Sequence, residues 1–151
     1  MSEITIDVTG AQEAAQYFTE AASALVPAVS VRLAEVCQEI ADYARMIAPK
    51  RSGEYAASIY MAQDGPLRFR IGATAAHSAI VEWGSMPHII LPRTARVLHF
   101  EVDGEEVFAK FVMHPGTRPM LIIHTAKKDN MSKIVAAIHE GVKEALGKGG
   151  G

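Results

Sequence analysis

The sequence contains a single cysteine, Cys37, among 151 residues. It therefore cannot form an internal disulfide, and the fold has to be stable in a reducing compartment such as a cytosol. A strong charge of one sign is also missing, because 15 Lys and Arg residues are balanced by 17 Asp and Glu residues. Proteins that bind nucleic acid through its phosphates usually carry a basic excess, so the overall charge gives no support to that class.

Long apolar runs are absent as well. The longest compact aliphatic stretch covers residues 120–123, whereas a membrane span needs ~20 residues. The first seven residues carry acids where a signal peptide needs a basic region followed by an apolar one. We therefore expect no membrane partner and no targeting segment.

Sequence motifs for catalysis, metal binding or cofactor binding are also missing. No two histidines have the i, i+4 spacing of metal ligands on a helix, and the glycine spacing matches no phosphate-binding loop. Ser85 lacks the second glycine of a nucleophile elbow, and Cys37 is expected to fill a helix core. We therefore expect no enzyme, no cofactor and no metal. The six histidines are His77, His88, His99, His114, His124 and His139.

Two alternative functions stay open at this point. His88, His99 and His114 could converge in space, which leaves a small histidine-dependent metal-binding enzyme. Phe69 lies between Arg68 and Arg70, an arrangement that also occurs in platforms that stack single-stranded nucleic acid. A solvated strand face with one inward aromatic side chain is the simpler interpretation of the same three residues.

The first third of the chain predicts a strand followed by two helices. Residues 3–8 alternate apolar and polar side chains, which predicts a short strand. Residues 11–25 and 28–47 predict helices, with a break or kink at Pro27. The second helix carries apolar residues at steps of three and four, and Pro49 should end it. This stripe consists of Val29, Leu33, Val36, Ile40, Tyr43 and Ile47.

The middle of the chain predicts short strands around one short helix. Asp-Gly pairs at 64–65 and 103–104 indicate hairpin turns. Residues 77–83 predict a helix that ends at Gly84. Strands are expected at residues 58–62, 67–73, 88–91, 96–102 and 106–112. Across the last hairpin, Val97, Leu98, Phe100 and Val102 should face Val107, Phe108, Phe111 and Val112.

The last third predicts a loop and a terminal helix. Residues 114–119 should form the loop, with Pro119 in the first turn of the helix that follows. An apolar stripe of helical spacing continues to residue 146, and residues 147–151 are expected to form a flexible, glycine-rich tail. These patterns predict one α+β domain over residues 1–146, in which an antiparallel sheet packs against a long N-terminal helix and a C-terminal helix.

Three motifs are more specific than any single residue. They read APKRSGEYAASI at residues 48–59, AIVEWGS at 79–85 and HPGTRPML at 114–121. In this order, with a long helix before them and a terminal helix after, they resemble the siphophage head–tail joining family, whose members are also called neck or tail-completion proteins. The resemblance covers residues 30–146. It departs from the family at 121–122, where an aromatic-leucine pair is usual.

The resemblance implies a non-catalytic virion structural protein at the bacteriophage neck. A ring of 6 or 12 copies would join the capsid to the tail, between portal, adaptor or head-closure proteins on one side and the tail-terminator protein on the other. Double-stranded DNA would pass through this head–tail connector without specific binding. The protein would be assembled in the host cytoplasm and reside in the virion.

The motif residues make sense as structural devices. Gly53 permits a tight turn, Trp83 is expected to anchor in the core, and Gly84 to take the left-handed conformation that ends a helix. The motif residues as a set are Pro49, Gly53, Ser58, Glu82, Trp83, Gly84, His114, Pro115, Gly116 and Pro119.

Two further groups of residues are candidates for roles in a ring. Exposed strands can join neighbouring copies by strand addition, and an acidic inner wall would let DNA slide without sticking. The candidate interface residues are Ile4, Ile6, Val97, Phe100, Phe108 and Phe111. The candidate lumen residues are Asp103, Glu105 and Glu106, at a predicted hairpin tip.

Overall fold

The structure, a computed structural model, describes residues 9–148. It confirms the predicted α+β class, with a long N-terminal helix packed on a small antiparallel sheet and on a C-terminal helix. Within the described chain, residues 9–74 with 123–148 form one compact unit, here the helical unit. Residues 75–122 form a second, the β-rich unit. The predicted strand at 3–8, with Ile4 and Ile6, lies outside the described residues.

The first helix, α1, runs without interruption over Thr9–Ile47 and contains Pro27. The prediction of a break at Pro27 was wrong. A proline inside a helix removes one backbone hydrogen bond and crowds the preceding turn. Ala21, Ala28 and Val29 are buried on either side of Pro27, so tertiary packing stabilises the helix where the local sequence disfavours it.

The predicted apolar stripe of α1 is the face that packs in the helical unit. Ile40 is 1% exposed, and Ala41 and Ala44 are fully buried. This face packs on the C-terminal helix α5, Met131–Lys148. Gly141 lies at the closest approach, where an added Cβ would be 2.7 Å from the Cα atom of Val29. Ala137, Gly141 and Ala145 are the buried residues of α5, so its contact face is narrower and smaller than the predicted stripe.

Helix α1 ends before Pro49, as predicted, and leads to a short helix that the sequence analysis missed. This helix, α2, covers Glu54–Ser58 and begins after Gly53, which has a φ of 72°. Tyr55 is the buried residue of this helix, with 2% of its surface exposed. Ser52 before Glu54 was the available signal, since serine hydroxyls accept from the first amides of a helix.

The first sheet is an antiparallel pair, β1 at Ile59–Gly65 and β2 at Arg68–Ala73. The predicted hairpin is present, but its turn lies at residues 66–67, because β1 continues through the Asp-Gly pair with an irregularity between Gln63 and Gly65. Side-chain hydrogen bonds attach β1 to α1. Arg45 donates to the carbonyl of Ile59 from Nη2 at 2.6 Å and from Nε at 3.2 Å, and Gln63 Nε2 donates to Ser30 Oγ at 3.0 Å.

The β-rich unit contains one helix and two further two-stranded antiparallel sheets. Helix α3 covers Ser78–Trp83. Strand β3, His88–Ile90, pairs with β6, Val112–His114, and β4, Leu98–Val102, pairs with β5, Glu105–Ala109. The prediction of a strand over 106–112 was wrong at its end. Val112 pairs with Ile90 and not across the β4–β5 hairpin.

The C-terminal region has two helices where one was predicted. Helix α4 covers Ile122–Asp129, so Pro119 precedes it instead of lying in its first turn. Asn130 separates α4 from α5 and donates from Nδ2 to the carbonyl of Ala126 at 2.9 Å. Helix α5 continues to Lys148, two residues into the segment expected to be a tail.

None of the helices in residues 9–148 is long and apolar enough to cross a membrane.

Candidate interaction surface

Two of the three sequence motifs form one interlocked structure in the β-rich unit, here called the clasp (residues 81–86 with 114–121). The Ser85 and Thr117 backbones exchange two hydrogen bonds, each with an N···O distance of 3.0 Å. Thr117 also donates its amide to Ser85 Oγ at 3.1 Å. Below this bridge, the amide of Met120 donates to the carbonyl of Val81 at 2.9 Å. Two motifs whose bridging residues, Ser85 and Thr117, are 32 residues apart in sequence are therefore one site in space.

Two glycines permit this close approach. Gly84 has a φ of 73° and Gly116 a φ of 89°, in a region that residues with a side chain rarely adopt. A Cβ on Gly84 would overlap the carbonyl oxygen of Thr117, and a Cβ on Gly116 would overlap that of Ser85. Gly84 has a ψ of −169°, so it ends α3 in an extended mirror-image conformation and not in the predicted left-handed helical one.

Trp83 lies in the clasp, and its side chain is exposed to solvent and not part of a core. It is 70% exposed, so the prediction of a buried anchor was wrong. Its neighbour Glu82 is 8% exposed, and Met86 on the other side is 83% exposed. The helix therefore turns its acidic residue inward and its tryptophan outward. Large exposed aromatic side chains on a rigid backbone are typical of binding surfaces.

The β3–β6 sheet adds further exposed apolar side chains. Ile89 pairs with Met113 across the two strands, and these side chains are 54% and 60% exposed. Leu91, just after β3, is 63% exposed. The sequence analysis missed these residues, because Ile89, Ile90 and Leu91 form a continuous apolar run with no two-residue alternation to show which side chains face outward.

His88 and His114 are brought together on the same sheet. Their ring centroids are 5.0 Å apart. His88 Nδ1 lies 3.0 Å from the carbonyl oxygen of Met86, whereas His114 Nδ1 accepts the amide of Gly116 at 3.0 Å. These contacts attach both rings to residues of the clasp, of which His114 is itself a part. Over residues 9–148, no group of three or more metal-ligating side chains is present, so this pair has no third ligand there.

The β4–β5 hairpin turns at Asp103 and Gly104, as predicted. Both residues have positive φ, 53° and 84°, as in the two-residue turn that favours Asp-Gly. His99 pairs with Phe108, with ring centroids 4.6 Å apart, and His99 Nε2 is 3.6 Å from Glu106 Oε1.

The structure places the candidate interface and lumen residues as follows. Phe108 and Phe111 are 62% and 59% exposed, while Val97 and Phe100 are half-buried. The three acidic residues of the predicted lumen, Asp103, Glu105 and Glu106, are exposed at or beside the hairpin turn.

The first motif lies in the helical unit and has a local structural role. The amide of Ala57 donates to the carbonyl of Gly53 at 2.9 Å, and Ser58 Oγ donates to the carbonyl of Tyr55 at 2.8 Å. Pro49 and Gly53 thus set the turn between α1 and α2, while Ser58 ends α2.

The alternative of a nucleic-acid platform requires Phe69 to be exposed, so that bases can stack on its ring. Phe69 is half-buried and lines a cavity of about 250 Å³ with Cys37, Ile40, Ile71, Ile123, Lys127 and Ile134. Arg68 and Arg70 are exposed, and Arg70 is paired with Asp64 at 3.0 Å. The simpler interpretation, a solvated strand face with one inward aromatic, is the arrangement observed. Burial also raises the pKa of the Cys37 thiol, in keeping with a core-filling role.

Comparison of the chain with models of protein families, with curated proteins and with solved structures finds no match.

Proposed function

We propose that this chain is a structural protein of the bacteriophage neck, which forms a ring that joins the DNA-filled capsid to the tail. The observation that carries the proposal is the clasp. Two family-like motifs, residues 79–85 and 114–121, meet through paired backbone hydrogen bonds. The two motifs are therefore parts of one local structure. Motifs that contact each other support the resemblance more strongly than matches at unconnected positions would.

The exposed side chains of the β-rich unit support an assembly role. Its large apolar residues are mostly outside any core, and its buried apolar residues are Ala75 and Ile122. Many large exposed apolar side chains in one unit support a role in binding another protein. The exposed residues are Ile80, Trp83, Met86, Ile89, Ile90, Leu91, Val102, Phe108, Phe111, Met113 and Met120.

The sheets of the β-rich unit offer a second means of association. Each is two-stranded over the described residues, so each has two strand edges with unpaired backbone groups. Two-stranded sheets are marginal on their own, and strand addition from a neighbouring copy would complete them. A ring results when such a contact repeats with a rotation that divides the circle.

The proposal is tested by the mass and shape of the purified protein, and by its presence in particles. Native mass spectrometry and negative-stain microscopy should show closed rings of 6 or 12 copies, alone or with portal-side and tail-side partners. Particles made without the protein should contain filled capsids and separate tails. A protein that stays monomeric with those partners, and is absent from finished particles, would rule the proposal out.

A further inference from the structure

The β4–β5 hairpin separates its charges by sign along its length. Four acids, here the tip acids, lie at or beside the turn, and all are exposed. At the opposite end the Leu98–Ala109 pair closes the sheet. Arg96, two residues before Leu98, and Lys110, directly after Ala109, are exposed and are here called the base cations. The tip acids are Glu101, Asp103, Glu105 and Glu106.

These charges have few partners in their own chain. Among residues 9–148, no lysine or arginine lies within salt-bridge distance of a tip acid, and no acid within that distance of a base cation. The one nearby group is His99, 3.6 Å from Glu106. A five-residue strand spans about 14 Å, longer than the ~8 Å over which salt screens charges. The two ends are therefore available to charges outside the chain.

Exposed apolar side chains lie along the same hairpin and just beyond it. Val102 is 48% and Phe108 62% exposed, and Phe111 beyond β5 is 59% exposed. A groove of about 340 Å³ borders the hairpin and is lined by Ile90, Leu98, His99, Phe100 and Val112. Apolar area supplies affinity in such a contact, whereas complementary charge sets direction and partner choice.

We infer that this hairpin is the contact between copies of the chain, with the tip acids of one copy against the base cations of the next. The inference rests on the proposed ring and names its contact surface. A second copy is the occupant that the charges favour, since the chain carries both complementary ends on one element. The repeated contact is head-to-tail, the kind that closes into a ring.

Charge reversal tests this contact. E101K with E105K and E106K reverses the tip, since three lysines then outweigh the remaining Asp103, and R96E with K110E reverses the base. Each variant alone should weaken association at least about tenfold in sedimentation velocity, because like charges then meet. An equimolar mixture of the two variants should restore association, and so should the chain with all five substitutions. Wild-type association should also weaken between 0.05 M and 0.5 M NaCl.

A matched control separates the effect of the position of the charges from the effect of net charge. E13K with E20K and E54K changes the net charge by as much as the tip variant, at exposed positions of α1 and α2, and should leave association unchanged. Far-UV circular dichroism checks that every variant is folded, and the five-substitution chain guards against simple unfolding because it should regain association.

Three results would overturn the inference. A wild-type chain that never self-associates removes the contact, although rings built with a partner would leave the proposed function standing. If the tip variant still forms rings as the wild type does, and also gains salt-sensitive DNA binding, these acids would be assigned to the lumen. A mixture that fails to restore association would show that the charges do not meet.

Discussion

At the scale of single residues, the clasp depends on glycine at two positions. Gly84 and Gly116 combine positive φ with backbone contacts that exclude a Cβ. Gly53 has a similar φ of 72° but open space around its Cα. An added side chain would cause backbone strain at both Gly84 and Gly53, but steric overlap only at Gly84. Substitutions at the two positions therefore separate these effects.

Gly84→Ala should lower the free energy of unfolding of the β-rich unit by roughly 2–4 kcal/mol, since strain and overlap both apply. Gly53→Ala should lower the stability of the helical unit by only about 1 kcal/mol, from strain alone. Urea unfolding followed by circular dichroism measures both. Equal effects of the two substitutions would show that the clasp is not tightly closed.

The thiol of Cys37 is predicted to react slowly with disulfide reagents. Burial raises its pKa, and because the thiolate is the reactive form, less of it is present at a given pH. Reaction with a disulfide reagent at pH 8 should be slower in the folded protein than in urea, and the rate should keep rising with pH above the pKa of an ordinary thiol. Equal rates in the two states would contradict the burial.

At the scale of secondary-structure elements, α1 and α5 pack closely because α5 has small residues at the crossing. Gly141 faces Val29 there. A glycine in a helix normally costs stability, and here it permits the contact between the helices.

Gly141→Ala should destabilise the protein by roughly 1–3 kcal/mol through overpacking, in spite of a gain in helix propensity. Gly147→Ala, in the same helix with nothing within 4 Å of its added Cβ, should instead be neutral or stabilise by up to about 1 kcal/mol. Thermal unfolding of the two variants gives the comparison. A stabilising Gly141→Ala would mean that the helices are further apart.

At the scale of the whole molecule, Trp83 reports on assembly. It is the single tryptophan of the chain and is 70% exposed. We expect its fluorescence emission to resemble that of tryptophan in water in the free chain and to move to shorter wavelength as rings form. An emission spectrum that does not change on assembly would place Trp83 outside every contact.

Removal of this side chain should weaken assembly and spare the fold. Trp83→Ala should reduce ring association at least about tenfold, as truncation of interface anchors does, with unfolding changed by less than about 0.5 kcal/mol. Phe18→Ala is a matched control, because Phe18 is 66% exposed on α1 and lies outside the β-rich unit. Sedimentation velocity and urea unfolding measure the two effects separately.

The sequence by itself determined the features that depend on neighbouring residues. The stripe of α1, its end before Pro49, the Asp103-Gly104 turn and the α+β class follow from side-chain periodicity and from the backbone chemistry of proline and glycine. The ends of β1 and β5 and the existence of α2 were less predictable, since strand pairing over a few residues is decided by which partner strand is present.

Tertiary structure alone decided the features that join distant residues. Helix α1 continues through Pro27 because residues on both sides of it are buried. Trp83 points outward because Gly84 is held against Thr117, and an apolar side chain looks the same in sequence whether it fills a core or an interface. Local patterns report how each residue suits its own segment, whereas exposure depends on contacts between segments far apart in the chain.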